Sequence, residues 1–117
     1  MPKFPPTARL SAPGHYQSVF DAPTYKVSSR AFLLLAQVNE AELSRLGVIV
    51  AKKHIRRANR RNRIKRLVRE HFRLTGLSVP LNLVVLAKTA ADQMDNACVR
   101  EDLTTLWDQL ERAAITS

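Results

Sequence analysis

The chain has 117 residues, 45% apolar and 25% charged, enough for one real core in a single domain spanning 1–117. No apolar run approaches the roughly 20 residues that cross a membrane, and the start, MPKFPPTARL, lacks the apolar stretch of a secretory signal. The formal charge of +9 is local: Lys52 to Arg73 holds eleven of the nineteen Lys and Arg residues and one acid, Glu70, so the partner expected is a polyanion, most often nucleic acid.

Residues 1–8 carry three prolines and no periodicity, and read as a loose lead-in. Pro13 suits a first helical position, and a short helix over Pro13–Phe20 puts Tyr16, Val19 and Phe20 on one face. Val19 reads as core. Tyr16 and Phe20 have two readings: anchors on the core, or platforms for unpaired bases beside a basic surface. Tyr25–Val27 is a short edge-strand candidate. Ala31–Val38 is a stronger strand, apolar and too short for a typical helix. Asn39–Arg45 is a polar connector, and Leu46–Ala51 is a second main strand, β-branched and apolar. Lys52–Arg57 is basic without period and reads as a loop.

The basic helix is expected from about Ala58. Ile64, Leu67, Val68, His71 and Phe72 recur at i, i+3, i+4, i+7 and i+8, one stripe of a helix. Asn62, Arg66, Arg69 and Arg73 lie opposite, Arg63 and Lys65 on the flanks. Arg60 and Arg61 sit at the N-terminal end beside the stripe. A basic run can be a solvated face or a disordered tail, but a tail would not keep such a stripe. Gly76 is the stop signal. Leu81–Ala87 is a third main strand, and Thr89–Asn96 offers the capping candidates Asp92, Asp95 and Asn96. Val99, Leu103, Leu106, Leu110 and Ala114 then form the stripe of a closing helix with Trp107 at its flank, read as core or sheet cover. The fold expected is a mixed α/β sandwich, with helices over a small sheet and the basic helix between two strands.

No catalytic set is visible. The acids are scattered, and only Glu101 and Asp102 adjoin, which on a helix do not converge. His15, His54 and His71 have no ligand spacing with one another or with Cys98, so no metal site is expected. His54 reads as a solvated loop residue and His71 as packed against the sheet. Cys98, the one cysteine, allows no intrachain disulfide, suits a reducing cytoplasm, and reads as a small packing residue. What remains is binding: several guanidinium groups on one rigid helix present a fixed array to phosphates. Folded RNA suits such an array, although helical period alone does not exclude DNA.

The run Arg61-Asn62-Arg63-Ile64-Lys65-Arg66, with Arg69-Glu70 and Phe72-Arg73 after it, resembles the signature helix of the bacterial ribonuclease P protein subunit family. Lys52-Lys53 after a VIVA strand, Arg56-Arg57-Ala58, Arg9-Leu10 with Tyr16 and Phe20, and Val84–Lys88 fit the same pattern, from about Arg9 to Arg112. The resemblance implies an α-β-β-β-α-β-α order with a left-handed strand–helix–strand crossover, against the usual hand. It implies a ribonucleoprotein whose RNA subunit, with Mg2+, removes the 5′ leader of precursor transfer RNA, so bond breaking lies outside the protein. By position, Arg61, Asn62, Arg63, Lys65, Arg66 and Arg69 would meet the catalytic RNA. Tyr16, Phe20, Lys52, Lys53 and Arg60 would hold the leader in a groove between helix and sheet, which Arg61 also borders. No obligate protein partner is implied. Asn82 stands where many members have aspartate, and Ala12 replaces a better cap before Pro13.

Three other readings compete. A general RNA-binding protein, such as a ribosome-associated one, would show no preference for precursor over mature transfer RNA. A nuclease acting alone would cleave without RNA. A DNA-binding basic helix would want a dimerising heptad, which is absent.

Overall fold

A computed structural model describes residues 13–39 and 43–116. The lead-in, Arg9-Leu10, Ala12 and part of the 39–45 connector lie outside the described residues. The elements are α1 (Pro13–Asp21), β1 (Tyr25–Ser28), β2 (Phe32–Val38), β3 (Arg45–Ile49), α2 (Ala58–Thr75), β4 (Leu81–Ala87), a 3-10 turn (Thr89–Gln93) and α3 (Asn96–Thr116). The four strands make one mixed sheet in the order β1-β2-β4-β3. β1 and β4 each run antiparallel to β2, while β3 runs parallel to β4, with α2 as the crossover between them.

Alternation along each strand sorts the side chains between two faces. Phe32, Leu34, Ala36, Leu46, Leu81, Leu83, Val85 and Ala87 point to the face covered by α2 and α3, and join the main core with Ile64, Leu67, Val68, Phe72, Val99, Leu103, Leu106, Trp107 and Leu110. The other face carries a smaller cluster, Val19 of α1 against Leu35 and Val84, flanked by Tyr16, Leu33, Ile49 and Leu86. In the register, Gly47 faces Val84 and Ile49 faces Leu86, which places these residues on the α1 side.

The strand expected over Leu46–Ala51 pairs only to Ile49. The chain then turns, with the Ala51 carbonyl accepting the N–H groups of His54 and Ile55. That turn buries Ile55 completely, inside a stretch expected to be a solvated loop. Gly76 ends α2 at φ 65°, ψ −167°, a conformation open to glycine, and its N–H reaches the Phe72 carbonyl at 2.9 Å. The Gly76 carbonyl in turn accepts Trp107 Nε1–H at 2.9 Å, tying the end of α2 to α3.

Two sequence readings, those of Cys98 and His71, need correction, whereas the capping reading of Asp95 is met. α3 begins at Asn96, three residues before its apolar stripe, and Asp95 caps it: the Cys98 N–H donates to Asp95 Oδ1 at 2.8 Å. That bond holds the Asp95 carboxyl below its ordinary pKa. Cys98 is exposed on the first turn rather than packed, and its hydrogen bond to Asp95 raises the thiol pKa. His71 packs against α3 instead of the sheet, its ring edge-on to Trp107 at 4.6 Å, because its position on α2 faces the neighbouring helix.

Candidate nucleic-acid interface

Apolar packing decides which way α2 presents its cations. Ile64, Leu67, Val68 and Phe72 are buried, so the opposite face of an 18-residue helix must point outward. Asn62 and Arg66 are exposed there, and Lys65, Arg69 and Arg73 are half-buried. Among the described residues, Lys65, Arg66 and Arg69 form no ion pair. Glu70, the one acid of α2, turns to the flank and meets Arg100 of α3 at 3.9 Å. The outward face thus keeps its positive charge.

The arginines at the N-terminal end are placed differently. Arg61 Nη1 donates to the carbonyls of Ile55 at 3.0 Å and Arg56 at 2.7 Å, closing the preceding turn. Arg63 reaches toward α3, donating to Asn96 Oδ1 at 2.8 Å and to the Met94 carbonyl at 2.9 Å. Arg60 pairs with Asp92 in the 3-10 turn, Nε to Oδ1 at 2.5 Å. Asp92 and Asn96, read from sequence as capping candidates, therefore serve as acceptors for α2. Arginine on the flank of a helix that packs on a neighbour has a short path to the neighbour's carbonyls, and the 3.6-residue period had put Arg60 beside the apolar stripe and Arg63 on the flank of the opposite face.

The second surface lies on the α1 side of the sheet. α1 crosses β2 and β4 and is pinned at its C-terminal end, where Gln37 Nε2 donates to the carbonyls of Ser18 and Ala22 at 3.3 and 3.2 Å. At its other end the Tyr16 ring occupies the space that a side chain at Gly47 would fill. A Cβ built there would fall 2.5 Å from Tyr16 Cε1 and 2.7 Å from Cζ and the hydroxyl oxygen, so the close approach requires glycine. Phe20, one turn on, is 39% exposed. The part of the sheet that α1 leaves open forms a depression of about 260 Å³ with an apolar floor of Leu33, Ile49 and Leu86 and a rim including Lys53, His54 and Lys88. His54 Nδ1 lies 2.9 Å from Thr89 Oγ1, and Lys88 Nζ donates to the Ser29 carbonyl at 2.6 Å, so both are fixed. Lys52 is exposed in the adjoining turn.

Tyr16 and Lys53 thus border one apolar face, with Phe20 on the same helix as Tyr16, whereas the Arg60 guanidinium is turned to the 3-10 turn. Sequence reasoning missed Gly47 and Asp92 as parts of these surfaces. The signal for Gly47 was a lone glycine inside a β-branched strand, a mark of close backbone approach. Among the described residues no three His, Cys, Asp or Glu side chains are grouped to hold a metal ion, and no helix is long and apolar enough to cross a membrane.

Comparison with known proteins finds relatives over most of the chain. The family model described as Ribonuclease P matches residues 4–111. The chain is 46% identical over 112 residues to the ribonuclease P protein component of Acinetobacter baylyi, covering 95% of this chain and 86% of that protein. It is 42% identical over 110 residues to that of Chromohalobacter salexigens, with 93% and 86% covered. The RNase P protein of Staphylococcus aureus superposes with a TM-score of 0.82 at 25% identity, covering 89% of this chain and 95% of that one. For the RNase P protein from Thermotoga maritima the TM-score is 0.76 at 29% identity, with 86% and 96% covered.

Proposed function

Since the chain belongs to the ribonuclease P protein family, we propose that it holds the catalytic RNA on the outward face of α2 and the unpaired 5′ leader of a precursor transfer RNA on the open, α1 side of the sheet. The observation that carries this reading is the separation of two surfaces with different chemistry. On α2, Lys65, Arg66 and Arg69 form a rigid cationic array, with the Asn62 amide beside it as a neutral donor, that suits the crowded phosphates of a folded RNA. On the sheet, Tyr16 stands beside an apolar floor with Lys53 at its rim, and Phe20 is exposed one turn along the same helix, which suits unstacked bases and the phosphates between them. Lys52 extends that rim.

The protein's contribution is then to bind, orient and screen. Its cations offset the repulsion between two RNAs brought together, and its groove keeps the leader single-stranded. The described residues offer no donor set that fits Mg2+, so we assign the ion, with bond breaking, to the RNA. A cytoplasmic complex suits the single cysteine.

The test is reconstitution with a ribonuclease P RNA and an assay of leader removal at low magnesium. The protein should accelerate cleavage and favour precursor over mature transfer RNA. No acceleration, or cleavage by the protein without RNA, contradicts the reading. Arg66→Ala should weaken RNA-subunit binding by about tenfold, the worth of one charge-assisted contact. Phe20→Ala should weaken precursor affinity by about fivefold or more through lost stacking, while leaving the RNA-subunit complex intact.

A further inference from the structure

Asp92 is an acid in the wrong place for a surface that binds polyanions. Around it lies a notch of about 390 Å³ lined by Arg56, Arg57, Arg60, Asp92 and Gln93. Charge alone would favour removing it, since each carboxylate beside a phosphate site repels the ligand.

Its hydrogen bonds suggest what it does. Arg60 donates from Nε to Asp92 Oδ1 and from Nη2 to the Asp92 carbonyl oxygen. Those bonds use one side edge of the guanidinium plane. A guanidinium has five N–H donors in a fixed fork, so the end edge, formed by Nη1 and the second Nη2 hydrogen, has no acceptor among the described residues. The Arg60 side chain remains 40% exposed while its partner is 23% exposed. The mount is itself fixed, because Arg63 holds the Met94 carbonyl and Asn96 Oδ1 just beyond Asp92. An arginine held in this way has already given up most of the rotamer freedom that binding a phosphate would cost.

We infer that Asp92 is a positioning residue for RNA binding: it fixes the side edge of Arg60 so that the end edge, together with Arg56 and Arg57, receives a phosphodiester in the notch. The inference rests on the functional reading above. The phosphodiester belongs either to the RNA subunit or to the precursor, and separate binding measurements distinguish them.

The experiment uses the reconstituted complex. One arm measures the affinity of the protein for the RNA subunit, and the other measures the affinity of the holoenzyme for precursor and for mature transfer RNA. Asp92→Asn removes a negative charge from the notch at nearly constant shape. Electrostatics alone predicts tighter binding. Positioning predicts binding weaker by about three- to tenfold in one arm, the cost of ordering a freed arginine, and that arm identifies the source of the phosphate. In an Arg60→Ala background the same substitution should cause no further loss. Unchanged or tighter binding of Asp92→Asn in both arms overturns the inference. So does an equal loss in the Arg60→Ala background, because Asp92 would then act through the fold and not through Arg60. Failure of the wild-type protein to bind either RNA would sink the functional reading itself.

Discussion

Under α2 and α3 the sheet is sealed, whereas under α1 it is left half open. On the sealed side Phe32, Leu34, Leu81, Leu83 and Val85 meet Ile64, Leu103, Leu106, Trp107 and Leu110, all at most 2% exposed. On the other side nine residues of helix cover Leu35 and Val84 but leave Leu33, Ile49 and Leu86 partly accessible beside Lys53. The difference shows how a small domain divides its labour. One face supplies most of the apolar burial that offsets chain entropy, and the other can then spare an apolar floor for a ligand.

That contrast can be broken from either side. The largest effect should come from the sealed face. Trp107→Ala removes a side chain packed edge-on against His71 at 4.6 Å and Phe72 at 6.4 Å and also leaves the Gly76 carbonyl without its donor. It should cost about 3–5 kcal/mol in denaturant unfolding, and any loss of RNA binding should follow the unfolded fraction for both RNAs alike.

Gly47→Ala should act on the open face alone. The new Cβ would drive the Tyr16 ring off the sheet, costing about 1–3 kcal/mol in unfolding experiments. Precursor affinity should fall several-fold while RNA-subunit affinity holds, and Tyr16→Ala should abolish the clash and with it the additional stability cost of the alanine.

The smallest effect is a pH dependence seated between α2 and α3. Burial lowers the His71 pKa below its ordinary value of 6.5, and Nε2 is buried without a hydrogen-bond partner among the described residues. The unfolded chain therefore takes up the proton first as pH falls. The stabilising contribution of the neutral ring is complete above about pH 6.5 and declines on acidification toward the lowered folded value. His71→Phe should flatten that part of a stability–pH curve; an unchanged curve would show that His71 does not set it.

Much of this architecture was readable from spacing. The stripe of Ile64, Leu67, Val68 and Phe72 requires a helix whose opposite side holds Asn62, Arg66 and Arg69, and the structure places them so. The three main strands and the stop at Gly76 are equally local signals. What spacing could not supply are contacts made across the fold. Asp92 lies 32 residues from Arg60, so an acid that looks like a cap turns out to be an anchor. Gly47 is needed only because α1 docks over it, which strand pattern does not encode. Ile55 is one apolar residue in a basic stretch, too little to mark a buried turn, yet it is fully enclosed.

The most direct test of two separate RNA surfaces is site-directed photocrosslinking in the reconstituted complex. With Cys98→Ser as background, single cysteines at Arg66→Cys and Phe20→Cys would each carry the probe. Position 66 should crosslink the RNA subunit whether or not precursor is present, and position 20 should crosslink the 5′ leader and lose its target when mature transfer RNA is supplied. Crosslinking of both positions to the same RNA would contradict the account.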